Sequence, residues 1–125
     1  MINDFFNLLF PKLCCACNNT LLKNEKIVCV KCIFSLPKTN FHNDIENPVN
    51  KVFWGRVEIE MATSFYVFSK KSKVQNLLHN LKYKGVKEVG YVVGELFGHD
   101  LKREQFFKGI DYIIPVPLHK NKLKK

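Results

Sequence analysis

The fold of this 125-residue chain is decided by residues 14–32, which read CCACNNTLLKNEKIVCVKC. They contain two C-x-x-C pairs, Cys14 with Cys17 and Cys29 with Cys32, separated by eleven residues. Such a pair can present two thiolates at the tip of a hairpin, and four thiolates complete a tetrahedral zinc site. The alternatives are disulfides, which are rare in reducing compartments, and free buried thiols. The spacing therefore predicts one zinc ion in a ribbon with two hairpin tips.

The predicted zinc site is a structural one. A closed set of four cysteines leaves no open position for a substrate, so the metal would stabilise a segment too small to bury a sufficient core. Cys15 is the fifth cysteine, and pairing it with Cys17 would give a C-x-C spacing that makes a poorer metal-binding turn. We therefore expect Cys15 to be a spare thiol.

Outward from the cysteines, the composition divides the chain into three parts. Residues 1–36 are predicted to hold a short amphipathic helix over 2–10, stopped by Pro11, and then the zinc ribbon. Residues 37–56 contain Pro, Asn and His without clear periodicity and are expected to form an irregular connector. Residues 57–125 change character and are expected to form an α/β domain.

The α/β expectation depends on four segments. Residues 57–67 alternate between apolar and polar side chains, as a strand does, and 111–117 form a nearly continuous apolar run that is typical of a buried parallel strand. Between them, apolar spacing predicts amphipathic helices over 72–83 and 87–106. Since a buried parallel strand needs neighbours on both sides, the sequence predicts the incomplete first half of an α/β domain.

The charge of the chain favours a polyanionic partner. The formal net charge is +9, and there is no acidic residue from Met61 to Lys87. Eighteen of the twenty cationic side chains are Lys, however, whereas base readout and bidentate phosphate binding favour Arg. The alternative interpretation of the positive charge is that the chain is rich in Lys and Asn because its genome is AT-rich, and that the lysines lie on solvated faces.

A second group of candidate residues follows the 111–117 strand. In open α/β sheets, ligands bind beyond the carboxyl ends of the strands. His119, Lys120 and Lys122 lie at such a place and are candidates to bind a phosphate or pyrophosphate group. The alternative interpretation is a frayed, charged terminus.

Several motifs follow one another in the order found in a known family. They are F-P-x-x-C-x-x-C over 10–17, C-x-x-C over 29–32, N-P-V over 47–49 with F-W-G-R over 53–56, V-Q-x-L-x-H-x-L-K-Y-K-G over 74–85 and D-Y-I-I-P-V-P-L-H over 111–119. In these motifs the chain resembles the ComF competence-protein family, which is amidophosphoribosyltransferase-like. The 74–85 motif resembles a signature helix of this family. It contains His79, Lys82 and Tyr83, and the resemblance assigns these residues no role.

The resemblance implies a zinc ribbon followed by a type I phosphoribosyltransferase fold. It further implies a part in DNA uptake or in nucleotide-related metabolism, with single-stranded DNA or a DNA-uptake motor protein as partner. Full-length relatives would bind phosphoribosyl pyrophosphate with Mg²⁺. The family continues with an Arg-Gly-Phe/Tyr-Asn-Gln segment, an acidic pair and a Thr/Gly-rich loop, none of which is present in residues 1–125. We therefore expect a truncated form, inactive as a transferase.

Two further expectations concern function and location. The alternative to a phosphoribosyltransferase fragment is a zinc-ribbon accessory module that binds nucleic acid or docks a protein. The N-terminus lacks a basic region and a small-residue cleavage site, and no apolar stretch reaches the ~20 residues of a spanning helix. No membrane span and a cytoplasmic location are therefore expected.

Overall fold

The computed structural model describes residues 9–118, and this part of the chain is helical and irregular. Its helices are α1 (Val30–Ser35), α2 (Pro48–Lys51), α3 (Lys73–Tyr83) and α4 (Lys87–Arg103), with a 3₁₀ turn at Phe41–Asn43. Strand-like pairing within 9–118 is limited to isolated bridges, Leu13 with Thr20 and Lys38 with Tyr66. No helix in this range is long and apolar enough to cross a membrane. The helix predicted over 2–10 lies almost wholly outside the described residues.

The two amphipathic helices predicted after the connector are confirmed. Ser72 begins α3 as its N-cap, because its hydroxyl accepts a hydrogen bond from the Gln75 N–H at 3.2 Å. Gly85 separates the helices with a φ of +69°, a left-handed conformation that glycine adopts without steric cost. The helix predicted over 87–106 ends slightly early, at Arg103.

The strand predicted over 57–67 is not formed. Residues 57–60 are exposed, and backbone pairing begins only near Phe65, whose C=O accepts from the Thr39 N–H at 3.0 Å. The Phe65 ring is buried against the Phe97 ring of α4, with centroids 4.7 Å apart. Of the alternating apolar side chains only Phe65 is buried, whereas Val57 and Ile59 are exposed. A strand needs a partner along its length, and here the partner is only a few residues long.

The strand predicted over 111–117 is not formed either. Every residue from 111 to 118 is exposed, and Ile113 and Ile114 retain 80% and 85% of their accessible surface. Among residues 9–118 no neighbouring strand is available to pair with this segment. The α/β class therefore finds no support in the described residues, which form a helical unit next to a cysteine cluster.

One hydrophobic core joins the cysteine cluster to α3 and α4. Its buried members come from both sides of the connector: Cys14, Ala16, Val28, Cys29, Cys32, Leu36, Val74, Leu77 and Val89. The division into 1–36, 37–56 and 57–125 stays a prediction. The continuity of this core means that the cysteines and the helices stabilise one another.

Two buried asparagines organise the connector. Asn47 is completely buried, and its amide donates to the carbonyls of Phe41, Asp44 and Ala62 at 3.1, 2.7 and 2.9 Å. Its side-chain oxygen accepts from the Asn50 N–H at 2.9 Å and so caps α2. Asn50 in turn accepts from the Ala62 N–H at 3.0 Å. Since every one of these bonds is buried or partly buried, the connector has a defined path.

Candidate metal centre

The first cysteine pair lies on a tight hairpin. The Leu21 N–H donates to the Lys12 carbonyl at 2.8 Å, and the Cys14 N–H donates to the Asn19 carbonyl at 2.8 Å. Asn18 turns the chain with a φ of +61°, a conformation that asparagine tolerates better than most residues. We call residues 12–21 the knuckle, and it presents Cys14 and Cys17 together, as predicted.

The second cysteine pair lies at the start of a helix, so the predicted second hairpin tip is wrong. Cys29 is the N-cap of α1, and Cys32 lies in its first turn. The Ile33 N–H donates to the Cys29 carbonyl at 3.1 Å, which closes that turn. A spacing of three residues brings side chains together on a helical turn as well as on a hairpin. The C-x-x-C pattern alone does not distinguish the two.

The four sulfur atoms have the spacing of a tetrahedral metal site. The Sγ atoms of Cys14, Cys17, Cys29 and Cys32 all lie within 4.8 Å of one another. The Sγ atoms of Cys17 and Cys29 are 3.8 Å apart. A tetrahedral zinc ion with Zn–S bonds of about 2.3 Å requires S···S distances of about 3.8 Å. The donor set therefore fits one zinc ion and leaves no position open.

The electrostatics of the cluster favour a bound cation. Burial raises the pKa of the Cys14 thiol, but backbone N–H groups of Cys29, Cys17 and Ala16 point at its sulfur and lower the pKa to about 7. Burial raises the pKa of Cys32, and the neighbouring Cys29 and Cys17 thiols raise it further. Without a cation, the negative charge of one thiolate therefore opposes the ionisation of the neighbouring thiols. A divalent ion removes this repulsion and permits four thiolates.

Cys15 stands apart from the four-sulfur group. Its N–H donates to the Ile27 carbonyl at 2.9 Å, and its half-buried side chain packs against the core. Burial raises the pKa of this thiol, and the neighbouring Cys14 charge adds to the effect. An uncharged, packed thiol agrees with the spare cysteine expected from the sequence.

Glu25 holds the two halves of the cluster together, and no sequence pattern predicts this role. Its carboxylate accepts from the Leu22 N–H and from the Val30 N–H, both at 2.8 Å. Val30 is the first residue of α1, whose N-cap Cys29 makes no side-chain capping bond. Glu25 therefore takes the place of the missing N-cap side chain and connects the loop to the start of α1. Capping side chains usually belong to the N-cap residue itself, whereas Glu25 lies several residues before it.

Two asparagines of α3 bind the knuckle. The Asn76 amide donates to the Ala16 carbonyl at 2.8 Å, and the Asn80 amide donates to the Cys15 carbonyl at 3.1 Å. The only available sequence signal was the spacing of four residues, which places both amides on one helical face. The knuckle is thus attached to α3 by polar as well as apolar contacts.

The other predicted site residues lie away from the cluster or outside the described residues. His79, Lys82 and Tyr83 are exposed on the last turns of α3, where the His79 and Tyr83 rings are 5.2 Å apart. With Phe68, Gln75 and Leu78 they line a shallow hollow of about 190 Å³. His119, Lys120 and Lys122 lie outside the described residues.

Comparison with known proteins adds no relative to this description. No protein-family model, curated protein or solved structure matches the chain.

Proposed function

We propose that the chain binds one structural zinc ion through its four clustered cysteines and that it is related to the ComF-like, phosphoribosyltransferase-family proteins. The observation that carries the zinc proposal is the group of four sulfur atoms at tetrahedral spacing. The closed donor set offers no position for a substrate, so the zinc would contribute folding free energy rather than chemistry.

Metal analysis of the purified protein tests the zinc proposal. We expect about one equivalent of zinc per chain, because four thiolates form one tetrahedral site. Cys17→Ser and Cys29→Ser each remove a ligand and should release the metal. Cys15→Ser is the matched control, since it changes a cysteine outside the group and should retain zinc. Zinc loss in Cys15→Ser with retention in Cys17→Ser would refute the ligand assignment.

The family part of the proposal rests on the sequence motifs and on two apolar features, a groove beside the core and an exposed segment. Helices α3 and α4 enclose an apolar groove of about 270 Å³, lined by Leu77, Leu78, Leu81, Val89, Val93 and the neighbouring Tyr66, Val74, Gly90 and Gly94. The segment 110–118 is exposed and is apolar apart from Asp111 and the Tyr112 hydroxyl. A sheet of the type I phosphoribosyltransferase kind would bury surfaces of this sort, because large exposed apolar patches are uncommon.

Phosphoribosyl pyrophosphate tests the expectation that residues 1–125 are inactive. They contain no acidic pair and no Thr/Gly-rich loop, which in the family hold the ribose and its 5-phosphate. Lysines alone act as point charges, so we expect affinity no better than roughly millimolar, about −4 kcal/mol. Isothermal titration of the zinc-loaded protein with phosphoribosyl pyrophosphate and Mg²⁺ measures this. Micromolar binding would contradict the expectation.

A second candidate function is binding of single-stranded DNA at the hollow on α3. The exposed Phe68 and Tyr83 rings offer surfaces on which bases stack, and Lys82 and His79 lie beside them. The absence of acidic residues from 61 to 87 leaves the local charge positive. These features support sequence-independent binding through stacking and phosphate attraction.

Fluorescence anisotropy with a mixed-sequence oligonucleotide tests this second function. We expect weak affinity that falls steeply with salt, because lysine–phosphate contacts release counterions. Tyr83→Ala should weaken binding by about 1–3 kcal/mol, the usual contribution of one stacked base. Tyr91→Ala removes an equally exposed tyrosine from α4 and serves as the control. Equal losses in both variants, or affinity that persists at high salt, would exclude the hollow as the site.

A further inference from the structure

We propose that Asn76 and Asn80 are positioning residues of the metal centre, which raise its zinc affinity by fixing two peptide planes of the knuckle. Neither side chain belongs to the group of four sulfur ligands. This inference rests on the proposed zinc site and adds residues of α3 to it. The contacts that carry it run from the Asn76 and Asn80 amides, through the knuckle backbone, to the Cys14 sulfur.

The two peptide planes concerned join Cys15 to Ala16 and Ala16 to Cys17. In a trans peptide the N–H and C=O groups point in opposite directions. The Ala16 N–H donates to the Cys14 Sγ at 3.4 Å. The carbonyls of the same two planes are those of Cys15 and Ala16, and Asn80 and Asn76 hold them at 3.1 and 2.8 Å. Asn80 therefore holds the plane whose N–H is donated to the Cys14 sulfur, and Asn76 holds the next plane, which leads directly to Cys17.

The asparagines are themselves held in place. The second N–H of the Asn80 amide donates to the Asn76 backbone carbonyl at 2.9 Å, within α3. The backbone carbonyl of Asn80 accepts a hydrogen bond from the Val86 N–H at 3.1 Å, which fixes the turn after α3. Ala16 is completely buried beside them. Water therefore has little access to replace a lost amide bond, and linked hydrogen bonds of this kind strengthen one another.

Zinc affinity should therefore depend on Asn76 and Asn80, which lie far from the cysteines in sequence. Groups that orient metal ligands typically change affinity 10- to 100-fold when they are removed. We expect Asn76→Ala and Asn80→Ala each to lower zinc affinity several-fold, and the double variant to lower it by about 10- to 100-fold. Alanine is the better helix former, so a loss of affinity would not come from a weaker α3.

Competition with a chromophoric chelator at fixed pH measures the affinities. Asn43→Ala, which changes an exposed asparagine of the connector, is the matched control and should bind zinc as the unaltered protein does. Asn80→Asp keeps the shape of the side chain but removes both donors, so it should resemble Asn80→Ala. If the double variant fails to fold, the single variants report the same effect.

Cobalt substitution separates positioning from general stability. An N–H donor stabilises the sulfur lone pairs. A less firmly held Ala16 N–H should therefore move the thiolate-to-cobalt charge-transfer band to longer wavelength in the Asn80 variants and in the double variant. Val74→Ala weakens the shared core without touching the knuckle planes and should leave the band unmoved. If the protein binds zinc and the double variant matches it in affinity and in band position, the inference is wrong while the zinc site stands. If the unaltered protein binds no zinc, the proposed function itself fails.

Discussion

At the scale of single residues, Glu25 shows how one carboxylate shapes the candidate metal centre. The N–H groups of Leu22 and Val30 hold the pKa of Glu25 below its ordinary value of 4.5, because they stabilise the charged form. A group whose folded-state pKa is depressed contributes stability above its unfolded pKa. That contribution is lost as the pH falls through the folded value.

Glu25→Gln should therefore destabilise the zinc-loaded protein modestly at neutral pH, since a neutral amide accepts these bonds more weakly. The difference from the unaltered protein should shrink as the pH falls below about 4.5, where the unfolded carboxylate takes up a proton. Urea unfolding of both proteins between neutral and acid pH measures it. Zinc content is measured in parallel, and the comparison uses the pH values at which both proteins retain the metal, because loss of zinc is itself expected to unfold them. A difference that stays constant with pH would mean that the carboxylate charge has no part in the contact.

The residues that could be predicted from the sequence are those whose chemistry is local. The four cysteines are recognisable because two C-x-x-C pairs match the ligand set of a closed tetrahedral zinc site. Glu25, Asn76 and Asn80 were missed because polar side chains on loops and helices are ordinarily solvated. The Asn80 contact with Cys15 spans 65 positions of sequence, and no local pattern encodes it.

At the scale of elements, the helices were predictable and the strands were not. The apolar spacing of α3 and α4, the Ser72 cap and Gly85 are all local features, and each agrees with the others. A strand depends on a partner elsewhere in the chain, and the apolar patterns at 57–67 and 111–117 carry no information on whether the described residues supply one. The error in the second cysteine pair has a similar origin, because α1 has only six residues and shows no periodicity of its own.

At the scale of the whole molecule, the shared core makes the metal centre and the helices interdependent. Cys14, Cys29 and Cys32 lie in the same buried cluster as Val74 and Leu77 of α3. Structural zinc in small peptides contributes an apparent 10–16 kcal/mol at neutral pH, roughly the entire stability of an ordinary domain. Without zinc, the buried thiols would also lose the cation that permits them to ionise together.

Removal of the proposed zinc with a strong chelator should therefore unfold α3 together with the knuckle. We expect loss of most of the helical circular dichroism, and rapid hydrogen exchange throughout residues 73–83, because these amides are protected only while the shared core is intact. Cys15→Ser, with its four ligands intact, should require the same chelator concentration as the unaltered protein. Restoring zinc should restore the protection of these amides, because zinc binding shifts a reversible folding equilibrium and its removal does not damage the chain. If α3 keeps its protection in the metal-free protein while residues 12–35 lose theirs, the cysteine cluster and the helices fold independently. The hydrogen bonds of Asn76 and Asn80 to the knuckle would then join two parts that are each stable alone.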